Sequence, residues 1–261
     1  MSTVSGFVYV HDEARDLLRG AVAGSRVTLP AFEPPWRVVD HALEGVVVAR
    51  WPGRLFRAEV VPPATDGERA ALARAAENLR PGAGYTRAVS VDLVQELSPA
   101  VLFGPHGEAV CRVLRAAGAL DEEGAGRLAA ARHPAADRAY GGAWDSWLLD
   151  QPRGATCRGR AHVRTLAVPG AGPSGSPIGH GFSVLAGAVR ASIRLRGGAG
   201  AYTVDEDGER VMADPWAAAL GALLDAAMAF GAPHLLDDRS AAVLTTAWNA
   251  VFGPAGPNTG A

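Results

Sequence analysis

The order of hydrophobic patterns along the chain restricts its fold more than any other feature. Short runs of β-type residues predict strands at residues 7–10, 26–29, 160–168 and 182–195. Alternation with a period of two predicts a hairpin at residues 44–61, and the turn signal Asp207-Gly208 predicts another at residues 201–212. Helical spacing predicts an early helix after Asp12 and further helices at residues 66–79, 108–117, 121–132, 135–150, 215–231 and 237–252. Residues 89–97 fit either a helix or a mixed segment.

This succession predicts an α+β fold with an N-terminal β-rich part, a helical middle, and a C-terminal β-hairpin plus helices. A chain of 261 residues is long enough for one large domain or two small ones. We expect a single compact domain over residues 1–253, because the β segments on both sides of the helical middle need partners to cover them. A subdomain boundary would lie near residues 82–87 or 151–154, and residues 254–261 are expected to form a flexible tail.

Composition predicts a soluble, cytoplasmic protein. Hydrophobic residues make up 48% of the chain and charged residues 20%, which is typical of globular proteins. The longest apolar runs are about half of the roughly 20 residues that a membrane-spanning helix needs. The first residues lack the basic and apolar regions of a signal peptide. Cys111 and Cys157 stand alone without metal-ligand spacing, so we expect reduced thiols and no metal site.

The charged residues argue against nucleic acid as a partner. The formal net charge is −2, whereas dedicated nucleic-acid binders carry clustered positive charge. The chain contains no lysine, so all 25 of its basic residues are arginine, a usage typical of GC-rich bacterial genomes. A single arginine in such a chain is therefore a poor indicator of a functional site.

A glycine-rich segment, residues 170–175, has the spacing G-x-G-x-x-G of dinucleotide-binding proteins. That spacing binds a pyrophosphate when a helix begins within it. Here Pro177, Gly179 and Gly181 follow at once, and no acidic residue stands about 20 positions further on to bind a ribose. The sequence therefore predicts no dinucleotide site, and nothing in it indicates another cofactor.

The same loop, residues 170–181, fits a site for a small anion. Arginines precede and follow it, and backbone N–H groups combined with guanidinium groups are suited to phosphate or carboxylate. The candidate ligand-binding residues are Arg160, Arg164, Gly172, Gly175, Ser176 and His180. The alternative is a solvated surface loop with ordinary exposed arginines.

Two functions remain open at this point, and the sequence does not decide whether the protein is an enzyme. One is a non-catalytic binding or accessory protein that contacts a protein partner or a small ligand. The other is an enzyme acting on a small anionic substrate, bearing phosphate or carboxylate, at the 170–181 loop, with His180 as the candidate acid–base residue. The first predicts no deep polar pocket, and the second predicts that His180 lines the main cleft.

Overall fold

The structure is a computed structural model, and it describes residues 4–11, 18, 20–29, 33, 36–48, 50–76, 84–150 and 176–254. A six-stranded antiparallel sheet at the N-terminus, helices in the middle and C-terminal parts, and a two-stranded hairpin confirm the α+β fold class. The chain divides into two compact units with a boundary between Leu102 and Phe103. The expectation of a single domain over residues 1–253 stays a prediction.

The first unit is built on the antiparallel sheet, whose strand order is β2-β6-β4-β1-β3-β5. Its strands are β1 (Ser5–His11), β2 (Arg26–Thr28), β3 (Arg37–Asp40), β4 (Gly53–Val60), β5 (Tyr85–Ala88) and β6 (Ser90–Leu97). One helix, α1 (Asp66–Ala76), places Ala71 against Leu29 and Val89. The predicted early helix falls largely on residues 12–17 and 19, which lie outside the described residues. Its last part is wrong, because residues 20–23 form turns and irregular structure rather than a helix.

Alternating side chains place the core of the first unit on one face of the sheet. In β4, Phe56 and Ala58 are fully buried while Arg57 and Glu59 are exposed. Val8 of β1 lies opposite Phe56, so apolar side chains meet across the strand pair. A register shift between Arg57 and Ala58 separates the two halves of the β4–β6 pairing.

Two predictions for this unit need correction. Residues 46–48 are not a strand, so the predicted hairpin at residues 44–61 is wrong: β4 pairs with β1 and β6 instead. Alternation shows which residues can form a strand, but it does not identify the partner strand. Most of the segment at residues 89–97 forms β6, where buried Val91 and Leu93 flank the half-buried Asp92.

The second unit is helical. Its helices are α2 (Gly107–Ala119), α3 (Glu122–Ala131), α4 (Ala136–Asp150), α5 (Gly181–Arg196), α6 (Trp216–Gly231) and α7 (Asp238–Phe252). Helix α6 packs against α2, α3, α5 and α7, and ten of its residues are buried. A helix that is apolar on nearly all sides takes the central position of a bundle. A hairpin of β7 (Tyr202–Val204) and β8 (Arg210–Met212) confirms the one predicted at residues 201–212.

Helix α5 corrects the strand predicted at residues 182–195. The buried residues of α5 in this stretch are Val184, Leu185, Ala188, Val189, Ser192 and Ile193. This spacing of one and three residues follows the helical period, although valine and isoleucine favour strands. The predicted strand at residues 160–168 lies outside the described residues. No helix in the described part of the chain is both long enough and apolar enough to cross a bilayer.

Candidate functional site

The structure describes only part of the site that the sequence predicts. Arg160, Arg164, Gly172 and Gly175 lie outside the described residues, so their role as anion ligands stays a prediction. Ser176 and His180 are described, and they belong to one turn that leads into α5.

This turn is held by its own hydrogen bonds and by one buried side chain. The Ser176 hydroxyl donates to the carbonyl oxygen of Gly179 at 2.6 Å. Ile178 is fully buried, and a Cβ added at Gly231 of α6 would lie 2.7 Å from it. The Ser176 side chain therefore fixes the start of α5, which is a structural role.

His180 immediately precedes α5 and is half-buried. Its carbonyl oxygen accepts the N–H of Val184 at 3.1 Å and the hydroxyl of Ser183 at 3.1 Å. Its side chain makes no capping hydrogen bond to the helix. The backbone of His180 thus initiates α5, and an acid–base role for its imidazole stays a prediction.

Cys111 of α2 is the described cysteine, and it is buried. Burial raises the pKa of its thiol to about 12, with a smaller contribution from the negative charge of Glu108. A thiol with such a pKa is protonated at neutral pH and is a poor nucleophile. Among the described residues, no three His, Cys, Asp or Glu side chains come together as a metal site.

A groove between α4 and α7 is a concave site among the described residues. It encloses about 450 Å³. Its polar lining consists of Arg138, Ser146, Asp237, Arg239 and Ser240. Its apolar lining consists mainly of Ala135, Ala139, Ala143, Leu235, Leu236 and Val243. The small side chains of α4 leave space on one side of the groove, and larger side chains line its other side.

The two arginines of the groove are available to a ligand. Arg138 and Arg239 are both exposed, and neither lies within ion-pairing distance of an acidic group in the part of the chain that the structure describes. The nearby Asp237 is engaged otherwise, because its carboxylate accepts the N–H of Ser240 at 2.7 Å as the cap of α7. This hydrogen bond lowers the pKa of Asp237, and the charge of Arg239 contributes less.

An ion-pair cluster fixes the start of α4 and with it one wall of the groove. Arg132, at the end of α3, donates from Nε to the buried Asp225 of α6 at 2.8 Å. Its Nη2 also donates to Asp137, in the first turn of α4, at 2.6 Å. Gly221 makes room for the guanidinium, since a Cβ there would lie 2.9 Å from Cζ of Arg132. One arginine thus links α3, α4 and α6.

Sequence reasoning missed the groove. Arg138 and Arg239 stand on different helices and look like ordinary exposed arginines in a chain whose basic residues are all arginine. The sequence does contain one indication of the groove: Ala135, Ala139 and Ala143 lie four residues apart, on one face of the predicted helix. A stripe of small residues predicts open space or close approach, but it does not reveal what lies opposite.

Comparisons with protein-family models, with curated proteins and with solved structures give no match to this chain. The chemistry of the groove is therefore the evidence for function. The most specific feature of the groove is that two guanidinium groups lie in a lining that is otherwise largely apolar.

Proposed function

We propose that this protein is a non-catalytic binding protein whose groove between α4 and α7 holds the anionic group of a ligand. The observation that carries the proposal is the pair Arg138 and Arg239, which come from opposite walls and lack an acidic partner among the described residues. Guanidinium groups donate paired hydrogen bonds to carboxylate and phosphate, so they select anions by geometry as well as by charge.

The size of the groove supports a ligand rather than a single ion. Its volume of about 450 Å³ lies within the range of about 300 to 1,000 Å³ that is usual for small-molecule sites. Apolar lining with a few convergent polar groups is the common composition of such sites. The carboxylate of an acidic side chain in a short segment of a protein partner would offer the groove the same group as a small carboxylate ligand.

The chemistry of the lining favours binding over catalysis. Proton transfer at neutral pH needs a group whose pKa lies near 7. The ionisable groups of the groove are two arginines, which stay protonated, and Asp237, whose pKa is lowered by its hydrogen bond with Ser240. Elsewhere in the described residues, Ser176 is engaged in its turn and Cys111 is held protonated.

An enzyme acting at the 170–181 loop remains an alternative prediction, since most of its ligand-binding residues lie outside the described part of the chain. A cytoplasmic location likewise stays a prediction from composition. The two functions differ in where the ligand binds. The groove requires Arg138 and Arg239, whereas the loop requires Arg160, Arg164 and His180.

A thermal-shift screen with variants tests the proposal. The panel holds carboxylates, sugar phosphates, nucleotides and short acidic peptides, each measured on the wild type and on Arg138→Ala with Arg239→Ala. A ligand at 100 times its Kd stabilises by about 2.7 kcal/mol, which is easily measured as a rise in Tm. Arg190→Ala is the control, because Arg190 is an exposed arginine of α5 that does not line the groove.

We expect at least one anion to raise the Tm of the wild type and of Arg190→Ala but not of the double variant. An anion that stabilises the double variant equally would place its site elsewhere. Loss of the effect in Arg160→Ala with Arg164→Ala, and not in the groove variant, would support the loop instead.

A further inference from the structure

We infer that the ligand of the groove is a carboxylate with a single negative charge, attached to a short apolar body. This inference rests on the proposed function and narrows its ligand to one chemical class. Three features of the lining carry it: its net charge, the small number of its free polar groups, and its apolar side chains.

The charge of the lining matches a monoanion. Arg138 and Arg239 contribute two positive charges, and Asp237 contributes one negative charge, because its lowered pKa keeps it ionised. The groove therefore has one net positive charge when empty. A carboxylate neutralises it, whereas a phosphate dianion would leave excess negative charge beside the carboxylate of Asp237.

The polar groups of the groove are few and partly engaged. The hydroxyl of Ser146 donates to the carbonyl oxygen of Gly142 at 3.0 Å, within its own helix. The N–H of Ser240 is bonded to Asp237. A sugar or a nucleotide would bring many hydroxyl and ring groups that need partners here, and unpaired polar groups weaken binding. The lining thus disfavours strongly polar ligands.

The rest of the lining fits an apolar body. Ala139 and Ala143 of α4 face a wall that includes the buried Leu235 and the half-buried Val243. Arg138 lies in the first turn of α4 and Arg239 in the first turn of α7. A ligand whose carboxylate binds a guanidinium of the groove can therefore place its apolar part against these apolar side chains.

Calorimetric titration with three probes of one chain length tests the inference: octanoate, octyl phosphate and octanol. We expect saturable binding of octanoate that is about tenfold or more tighter than that of octanol, because octanol lacks the charge. We expect octyl phosphate to bind more weakly than octanoate. Acetate, which lacks the apolar body, should bind at least about tenfold more weakly.

Two variants separate the contribution of the charged groups from that of the apolar lining. Arg138→Ala should weaken octanoate about tenfold and leave octanol unchanged. Ala139→Leu should weaken the binding of both octanoate and octanol, because the larger side chain occupies part of the groove. Ala139 is only half-buried, so this change leaves the core intact. Arg190→Ala should bind all probes like the wild type, and circular dichroism confirms that each variant is folded.

The outcomes distinguish this inference from the proposed function. If octyl phosphate or an acidic peptide binds more tightly than octanoate and needs Arg138, the ligand class is wrong and the proposed function stands. If octanoate binds Arg138→Ala and Ala139→Leu as tightly as it binds the wild type, its site is elsewhere and the inference is wrong. If no anion of any class depends on Arg138 or Arg239, both fail.

Discussion

The sheet unit and the helical unit each bury one aspartate among their described residues, and they treat it differently. Asp40 ends β3 and is 8% exposed, while Asp225 lies in the middle of α6 and is 2% exposed. Burial raises the pKa of both carboxyl groups. Asp225 has Arg132 as a partner at 2.8 Å, whereas Asp40 has no ion pair or side-chain hydrogen bond with a described residue.

The two aspartates differ in whether the buried carboxylate has a structural role. In the helical unit, Asp225 holds Arg132, which also reaches Asp137 and so positions the helix that forms one wall of the groove. In the sheet unit, the pKa of Asp40 rises to about 6, and burial is its only cause. The ion pair with Arg132 therefore offsets part of the cost of burying the charge of Asp225, whereas nothing offsets that cost for Asp40, which lowers stability at neutral pH.

The largest effect is expected for Arg132→Ala. Removing the guanidinium leaves the carboxylate of Asp225 buried without a partner, which costs about 3–5 kcal/mol in the free energy of unfolding. Urea denaturation followed by the helical circular dichroism signal measures the loss. Arg138→Ala, on the neighbouring helix, is the control and should change stability by at most about 0.5 kcal/mol. A loss below about 1 kcal/mol in Arg132→Ala would show that the cluster does not fix the bundle.

Asp40→Asn should stabilise the protein at pH 7.5. The folded pKa of about 6 lies above the ordinary value of 3.8, so the folded state loses stability as the pH rises from 3.8 through 6. Above pH 6, this pKa shift corresponds to a loss of about 3 kcal/mol in the free energy of unfolding. Asparagine carries no charge, so Asp40→Asn removes this loss. The measurement is the free energy of unfolding at pH 4.5 and pH 7.5.

The difference between Asp40→Asn and the wild type should be large at pH 7.5 and much smaller at pH 4.5. Glu59→Gln, at an exposed position of β4, is the matched control. An equal effect of Asp40→Asn at both pH values would mean that Asp40 is not a buried, unpaired carboxylate in solution.

Two glycines extend the comparison from charge to packing. A methyl group at Gly6 of β1 would overlap the backbone carbonyl oxygen of Asp40, which cannot move without shifting β3. A methyl group at Gly231 would lie 2.7 Å from the side chains of Ile178 and Val110, which can adjust. We expect Gly231→Ala to cost about 1–3 kcal/mol and Gly6→Ala to cost more.

Gly187→Ala is the control for both, because nothing lies within 4 Å of its added methyl group on α5. It should stabilise the protein by about 0.5–1 kcal/mol, since alanine favours the helix. The reverse order, with Gly6→Ala the milder change, would contradict the close approach of β1 and β3.

The smallest effect is expected for Tyr140→Phe. The hydroxyl of Tyr140 is buried without a hydrogen-bond partner among the described residues, although the Trp144 indole lies nearby. Deleting an unsatisfied hydroxyl is nearly neutral or stabilising, so the stability should change by about 0.5 kcal/mol at most. Thermal unfolding measures this. Destabilisation above about 1 kcal/mol would show that the hydroxyl has a hydrogen-bond partner in solution.

Sequence patterns predicted four helices of the helical unit closely. The predicted helices at residues 121–132, 135–150, 215–231 and 237–252 differ from α3, α4, α6 and α7 by no more than one residue at either end, and Asp121 and Asp237 cap the first and last of them. The prediction failed at α5, where β-branched residues outweighed a helical spacing of buried positions. It failed at residues 46–48, because the partners of a strand depend on distant residues.

The candidate site was far less accessible to sequence reasoning. A binding groove between two helices depends on which faces meet, and that follows from packing in the whole bundle. Arg138 and Arg239 belong to no motif, and the α4 side of the apolar lining consists of alanines, which are common in this chain. The motif that did stand out, the glycine-rich loop, lies mostly outside the described residues.

The most direct test of the central claim is to locate the bound anion. Methyl groups of leucine and valine are labelled, and their NMR spectrum is recorded during titration with the panel anion that raises the Tm most. The claim predicts saturable shifts at Leu235, Leu236 and Val243 that disappear in Arg138→Ala with Arg239→Ala. Shifts that leave these three methyl-bearing residues unchanged, or that persist in the double variant, would contradict it.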